Sequence, residues 1–398
     1  MVNIGSVGRI AESIGSLSID DGWESYIAYG RGAGKSRSGL IKIGSTIDKY
    51  IHGLLTRFSD RHGAGSYFAT KSLVRKIEEI KPDIIHLHNL HGYYINLKIL
   101  FDYLASSGIP VVWTLHDCWS VTGHCVHFEN INCTKWMDGC YDCPAIKGYP
   151  ASWFTDNSEV NFQIKKNLFN SVDNLTLVPV CNWLGNIIGK SYLSGKSRHV
   201  IYNGIDTDVF KPRELHPDLV DKLCAFKEEF IVLAVASAWN DTKGFQDILK
   251  LAEDLTDDYH MVVVGLNRRQ IRGLPGNITG IEHLNNVIRL AEIYSCADVF
   301  INPTYQDTLP TVNIESIACG TPVVIYNTGG SADIVNDKTG IVVETGNLMA
   351  LKKAVEEICH CGKRKYKNDC REYAVRMFNE DNNLRSYVNL YAGLLGGK

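Results

Sequence analysis

The sequence predicts an α/β protein of two domains, each a mostly parallel sheet covered by helices. Three observations predict it. The 398 residues exceed what one ordinary core accommodates and suit two domains of roughly 200 residues or fewer. Short β-rich runs alternate with helical stretches nearly throughout. In the second half those runs are continuously apolar, as strands covered on both faces are.

In order, the first-half strand candidates are 23–29, 84–89, 111–116, 175–180 and 199–202, with helical patterns between most of them. The Asn203-Gly204 turn closes this series and an N-terminal domain of residues 1–204. Residues 205–229 carry Pro212 and Pro217 and no clear period, so they are read as a linker. A second series, 230–237, 261–265, 299–302, 322–326 and 341–343, builds a C-terminal domain of 230–378. The chain from Leu348 onward reads as helical, and 379–398 is expected to be a helix packing back on the N-terminal domain. One element is out of place. The turn Gly5-Ser6-Val7-Gly8 leads into a helical pattern from Arg9, yet only four residues precede it. In doubly wound folds a central first strand delivers the chain to such a turn. The expectation is that this first strand is missing and that Met1 is an internal or misassigned start, with about ten residues absent upstream.

Composition narrows the function. Hydrophobic residues at 45% and charged residues at 21% are ordinary for a soluble enzyme, and there is no apolar run of the roughly 18 residues a membrane span requires. The first 15 residues contain Arg9 and Glu12 and do not read as a secretion signal, so a cytoplasmic protein is expected. A net charge of -3 argues against a general nucleic-acid binder. The charge is uneven, however. Residues 31, 35, 37, 42, 49, 57, 61, 71, 75 and 76 are Lys or Arg, against only Asp48 and Asp60 in that segment. It is either a solvated surface or a patch that rests on anionic lipid headgroups at the inner face of the membrane or binds a phosphorylated lipid acceptor.

The most informative run is Asn302-Pro-Thr-Tyr-Gln-Asp307-Thr-Leu-Pro310-Thr-Val-Asn-Ile-Glu315-Ser-Ile-Ala-Cys-Gly320-Thr-Pro-Val-Val. It reads as strand end, turn, short helix, glycine stop and next strand. Asp307 or Thr308 is expected to cap the helix and Pro310 to sit in its first turn. The N–H groups of Thr311 and Val312, with the helix dipole, then form a diphosphate site at the carboxyl edge of the sheet. Asp307 and Glu315 are eight positions apart, about two helical turns. In the first half, His86-x-His88 and His116-Asp117 lie at the carboxyl ends of two strands, where open α/β sheets place ligands.

The Asp307-x7-Glu315 pair followed by Ala-Cys-Gly-Thr-Pro-Val resembles the acidic motif of the family 4 retaining glycosyltransferases. Further matches are the run from Ile201 through Asn203-Gly204 to Pro212, Lys243-Gly244, and Tyr326-Asn-Thr-Gly-Gly330, so the resemblance covers nearly the whole chain. It implies a GT-B fold, two Rossmann-like domains facing across a cleft, and a nucleotide-diphosphate sugar donor, UDP- or GDP-linked, with no catalytic metal. It implies that Lys243 contacts the diphosphate, Glu315 the nucleotide ribose and Asp307 the transferred sugar, with Asn203, Thr308, Leu309, Thr311 and Val312 lining the donor site. His116 would face the sugar and acceptor. His86 and His88 either share that role or support the loop by hydrogen bonding. Gly8 matches the small residue that lets backbone approach the diphosphate. The chain departs from the family in carrying Asp307 where Glu is usual and in lacking an arginine about five residues before Lys243; Arg268 or Arg269 is a substitute.

Five of the 12 cysteines fall between 118 and 143. Cys125, Cys133, Cys140 and Cys143 end in a Cys-x2-Cys knuckle and can close a tetrahedral zinc site, with His124 and His127 as spare ligands, in an insert of 118–150. The surrounding Thr114-Leu-His-Asp-Cys-Trp-Ser-Val-Thr-Gly-His-Cys125 is similar to bacterial capsule and exopolysaccharide transferases of the colanic-acid type, which implies a lipid-linked glycan acceptor. Two other readings stay open: a GT-B nucleotide-sugar epimerase and an inactive nucleotide-sugar-binding protein.

Overall fold

The computed structural model describes residues 1–217, 230–284 and 286–396. It divides into two compact units, residues 1–201 with 384–398, and residues 202–383.

In unit 1 the strands are β1 (Tyr26–Tyr29), β2 (Gly39–Lys42), β3 (Ile85–Leu87), β4 (Val111–Leu115), β5 (Leu175–Pro179) and β6 (Ser197–Arg198). They form two separate parallel sheets, β1-β2 and β3-β4-β5-β6. β4 and β5 are buried along their full length and are mostly apolar, with Thr114 and Thr176 as their buried polar positions. β2 is mostly exposed and carries no alternation, and the sequence reading misses it. β6 begins two residues earlier than expected, although the His199 and Ile201 N–H groups still bond to the carbonyls of Leu177 and Pro179. The N-terminal helix starts at Gly5, and Val2, fully buried, bridges Ala33 in parallel. From the last helix, Glu380–Gly396, Leu384, Tyr387 and Tyr391 join Ile14, Val112 and Val178 in one core cluster.

Unit 2 is one parallel sheet of six strands: β7 (Phe230–Val235), β8 (Tyr259–Val264), β9 (Ile278–Ile281), β10 (Val299–Asn302), β11 (Val323–Tyr326) and β12 (Gly340–Val343). Their order is β12-β11-β10-β7-β8-β9, with the order reversing beside β7. β9 is partly exposed and is the strand the apolar pattern misses. Residues 218–229 of the expected linker lie outside the described residues. Its first part is packed rather than loose: Ile205 and Asn379 form a parallel bridge, and Phe210 is buried.

Candidate active site

Adjacent parallel strands β7 and β10 send their following loops to the same edge of the sheet. After β7, Asn240 Oδ1 accepts the Lys243 N–H at 3.0 Å and sets a single turn over Asp241–Lys243. Gly244 then adopts φ +73°, and a Cβ there would lie 2.1 Å from the Pro303 carbonyl oxygen. Only glycine permits this approach. The two loops are stitched together by the Tyr305 N–H and the Thr304 hydroxyl, which donate to the Thr242 carbonyl at 2.9 and 3.2 Å. Lys243 Nζ consequently meets Asp307 Oδ2 at 2.6 Å.

The helix after this turn spans Thr311–Ala318, with Pro310 at its N-cap and no side chain capping it. The expected cap by Asp307 or Thr308, and the first-turn place for Pro310, are therefore corrected. The Asp307 carboxylate is drawn to Lys243, and the Thr308 carbonyl accepts the Gly330 N–H at 2.9 Å. Thr311 and Val312 open the helix, where backbone N–H groups precede the intrahelical ladder. Asp307 lies outside the helix and Glu315 inside it, so the two carboxylates do not share one helical face. Glu315 accepts the buried Tyr294 hydroxyl at 3.0 Å, whereas Leu309 is buried beneath the turn. Tyr305 and Tyr326 both donate to Asp247 Oδ2, at 2.6 and 2.8 Å. Arg268 is exposed and pairs with Glu282 at 2.9 Å.

Two glycine motifs find local structural partners. Gly204 beside Asn203 packs so closely on residue 380 that a Cβ would meet the Glu380 Cα at 2.5 Å. Gly8 lies within the first helix, where a Cβ would meet the Met1 carbonyl oxygen at 2.6 Å.

In unit 1 the ends of β3 and β4 bring their histidines together. His88 Nδ1 and His116 Nε2 are 3.1 Å apart with stacked rings, and His86 bonds to Tyr391 at 2.6 Å and Thr114 at 2.7 Å. Burial holds His86 down at about 3 and His116 at about 4, and pushes His88 well below the ordinary histidine value, so all three are neutral at pH 7. His91, which the sequence reading passes over, pairs with Asp117 at 2.8 Å. Burial alone would raise Asp117, but His91 and the Trp119 N–H hold it at about 2. His88, His91, His116 and Asp117 line one small cavity. The signal for His91 was a third histidine in the same strand-end run, His86-x-His88-x-x-His91.

Cys125, Cys133, Cys140 and Cys143 line a second cavity together with His124, and the described cysteines form no disulfide. Among the described residues, the donor group converging within 4.8 Å is Asp60, His62 and His124 rather than the cysteines. Spacing could not reveal it, because residue 60 and residue 124 meet only through the tertiary fold.

No helix among the described residues is long and apolar enough to cross a membrane. The family described as Glycosyltransferase Family 4 matches residues 19–209, and Glycosyl transferases group 1 matches residues 219–377. The colanic acid biosynthesis glycosyl transferase WcaC of Escherichia coli K12, so named, is 23% identical over 362 residues, covering 87% of this chain and 86% of its own. Sucrose-phosphate synthase from Thermosynechococcus elongatus superposes with a TM-score of 0.73 at 16% identity, covering 100% of this chain and 95% of that one. Anabaena HepE, solved with UDP and glucose, gives 0.64 at 14% identity, covering 98% and 96%. With both halves matched by successive glycosyltransferase domains and a GT-B fold throughout, the chain belongs to the group 1 and family 4 glycosyltransferases.

Proposed function

We propose that this glycosyltransferase moves a hexose, with retention of anomeric configuration, from a UDP- or GDP-sugar to a lipid-linked glycan during bacterial surface polysaccharide synthesis. The observation that carries the donor assignment is Lys243 held at the sheet edge beside the Thr311–Ala318 helix N-terminus. As the bond from the anomeric carbon to the diphosphate breaks, its electron pair passes to the leaving phosphate. A fixed ammonium and helix N–H groups stabilise that charge without reorganising. Glu315 is assigned to the ribose, Asp307 to the sugar and His116 to the reacting end of the sugar. The acceptor hydroxyl attacks on the face the diphosphate leaves, and its proton passes to that diphosphate; no catalytic metal is invoked. WcaC's name and HepE's UDP are in keeping with this reading.

The lipid side of the proposal rests on the Thr46–Ser59 helix, whose polarity is inverted. Its buried residues are His52 and Thr56, whereas Ile47, Tyr50, Ile51, Leu54 and Phe58 are exposed. These recur at helical spacing, and Phe58 packs on exposed Trp153 and Phe154 with Arg57 over the Trp153 ring; on the next helix Phe68 is exposed and Lys71 sits over Tyr67. An apolar stripe interleaved with cations suits the headgroup region of an anionic bilayer. A structural zinc in the cysteine-lined cavity completes the reading.

The test is calorimetry with UDP- and GDP-sugars, followed by NMR of the product's anomeric centre on a lipid-diphosphate acceptor. Binding with retention supports the proposal. Absence of binding to every nucleotide sugar defeats it, and a sugar altered without acceptor would identify an epimerase.

A further inference from the structure

We propose that unit 1 binds one zinc ion through His124 Nε2 and the thiolates of Cys125, Cys140 and Cys143, with Asp60 orienting the imidazole. The proposal rests on the structural-zinc reading of this loop and changes its ligand set, placing a histidine where Cys133 was expected.

The observation behind it is one nitrogen. His124 is fully buried, and its Nδ1 is hydrogen-bonded to Asp60 Oδ1. Its Nε2 is buried with no hydrogen-bond partner, although it belongs to a residue lining the same cavity as the cysteines. A buried polar atom left unpaired is destabilising, so a partner is expected there. A carboxylate that takes the Nδ1–H leaves the Nε2 lone pair available, which is the tautomer of a metal-bound imidazole. The rest of the compact trio is already committed. His62 Nε2 bonds to the Gly123 carbonyl at 3.1 Å, its Nδ1 accepts the Trp119 indole N–H at 3.0 Å, and Asp60 Oδ2 accepts the Asn157 N–H at 3.0 Å. The Asp60-His62-His124 group is thus a hydrogen-bonded support, and His124 Nε2 is the nitrogen it offers.

The thiols supply the other three positions. Cys125 and Cys143 are in hydrogen-bonding contact, and Cys143 also neighbours His124. Cys140 Sγ accepts the Gly123 N–H at 3.1 Å; a Cβ on Gly123 would strike the Cys140 Cβ at 2.7 Å and the Ser158 carbonyl oxygen at 2.0 Å. Charge decides against a fourth thiolate. Lys165 is fully buried, donates to the Trp119 and Thr122 carbonyls at 2.7 and 2.9 Å, and lies beside Cys140 and Cys125. Zn²⁺ with three thiolates and a neutral imidazole carries one negative charge, which faces the Lys165 side chain; a fourth thiolate would bury a second one. Binding releases the three thiol protons to solvent. Sulfur and imidazole donors in a tetrahedral set select zinc over the hard cations.

The experiment uses the full chain purified under reducing conditions. Zinc is measured by plasma emission, then exchanged for Co²⁺. The intensity of the sulfur-to-cobalt charge-transfer band counts thiolates, and the visible bands report tetrahedral geometry. The expected result is one metal per chain and a three-sulfur spectrum, preserved in Cys133→Ser. Asp60→Asn should weaken cobalt binding about 10–100-fold while keeping that spectrum. His124→Gln should change it. A four-sulfur spectrum that disappears in Cys133→Ser overturns the histidine ligand while leaving a metal in the loop. A protein with no zinc and no cobalt spectrum overturns both. The count is made on the unmutated protein, so a variant that fails to fold does not blunt the test.

Discussion

Lys243 Nζ and Asp307 Oδ2 meet at 2.6 Å although they lie 64 positions apart in the chain, so the cation proposed for the diphosphate and the carboxylate proposed for the adjoining sugar are each other's partners. Both side chains are partly exposed, at 32% and 25%, so solvent screens the pair and it contributes about 1 kcal/mol or less to stability. Their effect on turnover should be much larger. Lys243→Ala is expected to lower kcat about 100- to 1,000-fold, the scale of losing one preorganised charge at a leaving group. Its melting temperature should stay within a few degrees of the parent. Steady-state kinetics alongside a thermal melt checks both, and an unchanged kcat removes Lys243 from the diphosphate.

The histidine cluster at the ends of β3 and β4 predicts a dependence of stability on pH. His86 at about 3, His116 at about 4 and His88 well below its ordinary value all titrate lower in the folded chain than in the unfolded one. Above pH ~6.5 both states are neutral at these sites and the folded protein keeps its full stability. As pH falls through 6.5 toward 4, the unfolded chain takes up protons that the folded chain refuses. Stability should drop by on the order of 2 kcal/mol per such histidine by pH 5. Asp117, held at about 2, has the same sense but acts only below about pH 4. Urea denaturation at pH 7.5 and 5.0 measures the slope, and His116→Gln should flatten it. Equal midpoints at the two pH values would count against neutral burial.

What could be read in advance followed locality. Lys243-Gly244 and the 302–320 run were legible because turn, proline and glycine signals lie within a few residues of the groups they position. β2 and β9 were not, because short, partly exposed strands lack both alternation and a continuous apolar run. The Thr311–Ala318 cap departs from its local signal for another reason: Asp307 is a good local cap but is drawn to a distant lysine, so a tertiary partner overrides a local preference. The His124 environment was hidden more deeply still, since Asp60 and Lys165 reach it from opposite sequence directions.

The inverted Thr46–Ser59 helix predicts binding to anionic vesicles. Tyr50 and Ile51 are 72% and 62% exposed, so Tyr50→Glu and Ile51→Glu should leave the fold intact. Placed in the apolar stripe, each glutamate is repelled by anionic lipid and resists burial. Cosedimentation with phosphatidylglycerol-containing vesicles should weaken about 10-fold in the double variant, and should weaken in the parent as salt rises. Binding that is indifferent to these substitutions would assign the stripe to another partner.

Gly244 offers the sharpest test of how the donor site is built. It is one residue from Lys243, but its φ of +73° and the 2.1 Å that a Cβ would leave to the Pro303 oxygen make it a hinge between two loops rather than a binding group. Gly244→Ala should cost stability by about 1–3 kcal/mol, from left-handed strain and displacement of the 303–305 segment. That displacement moves Asp307 away from Lys243, so kcat should fall at least 10-fold even though no charge is removed. Lys243→Ala and Gly244→Ala thus make opposite demands: the first loses turnover with little loss of stability, and the second loses both. If the glycine variant keeps full turnover, the apposition of the two loops is not what places the lysine.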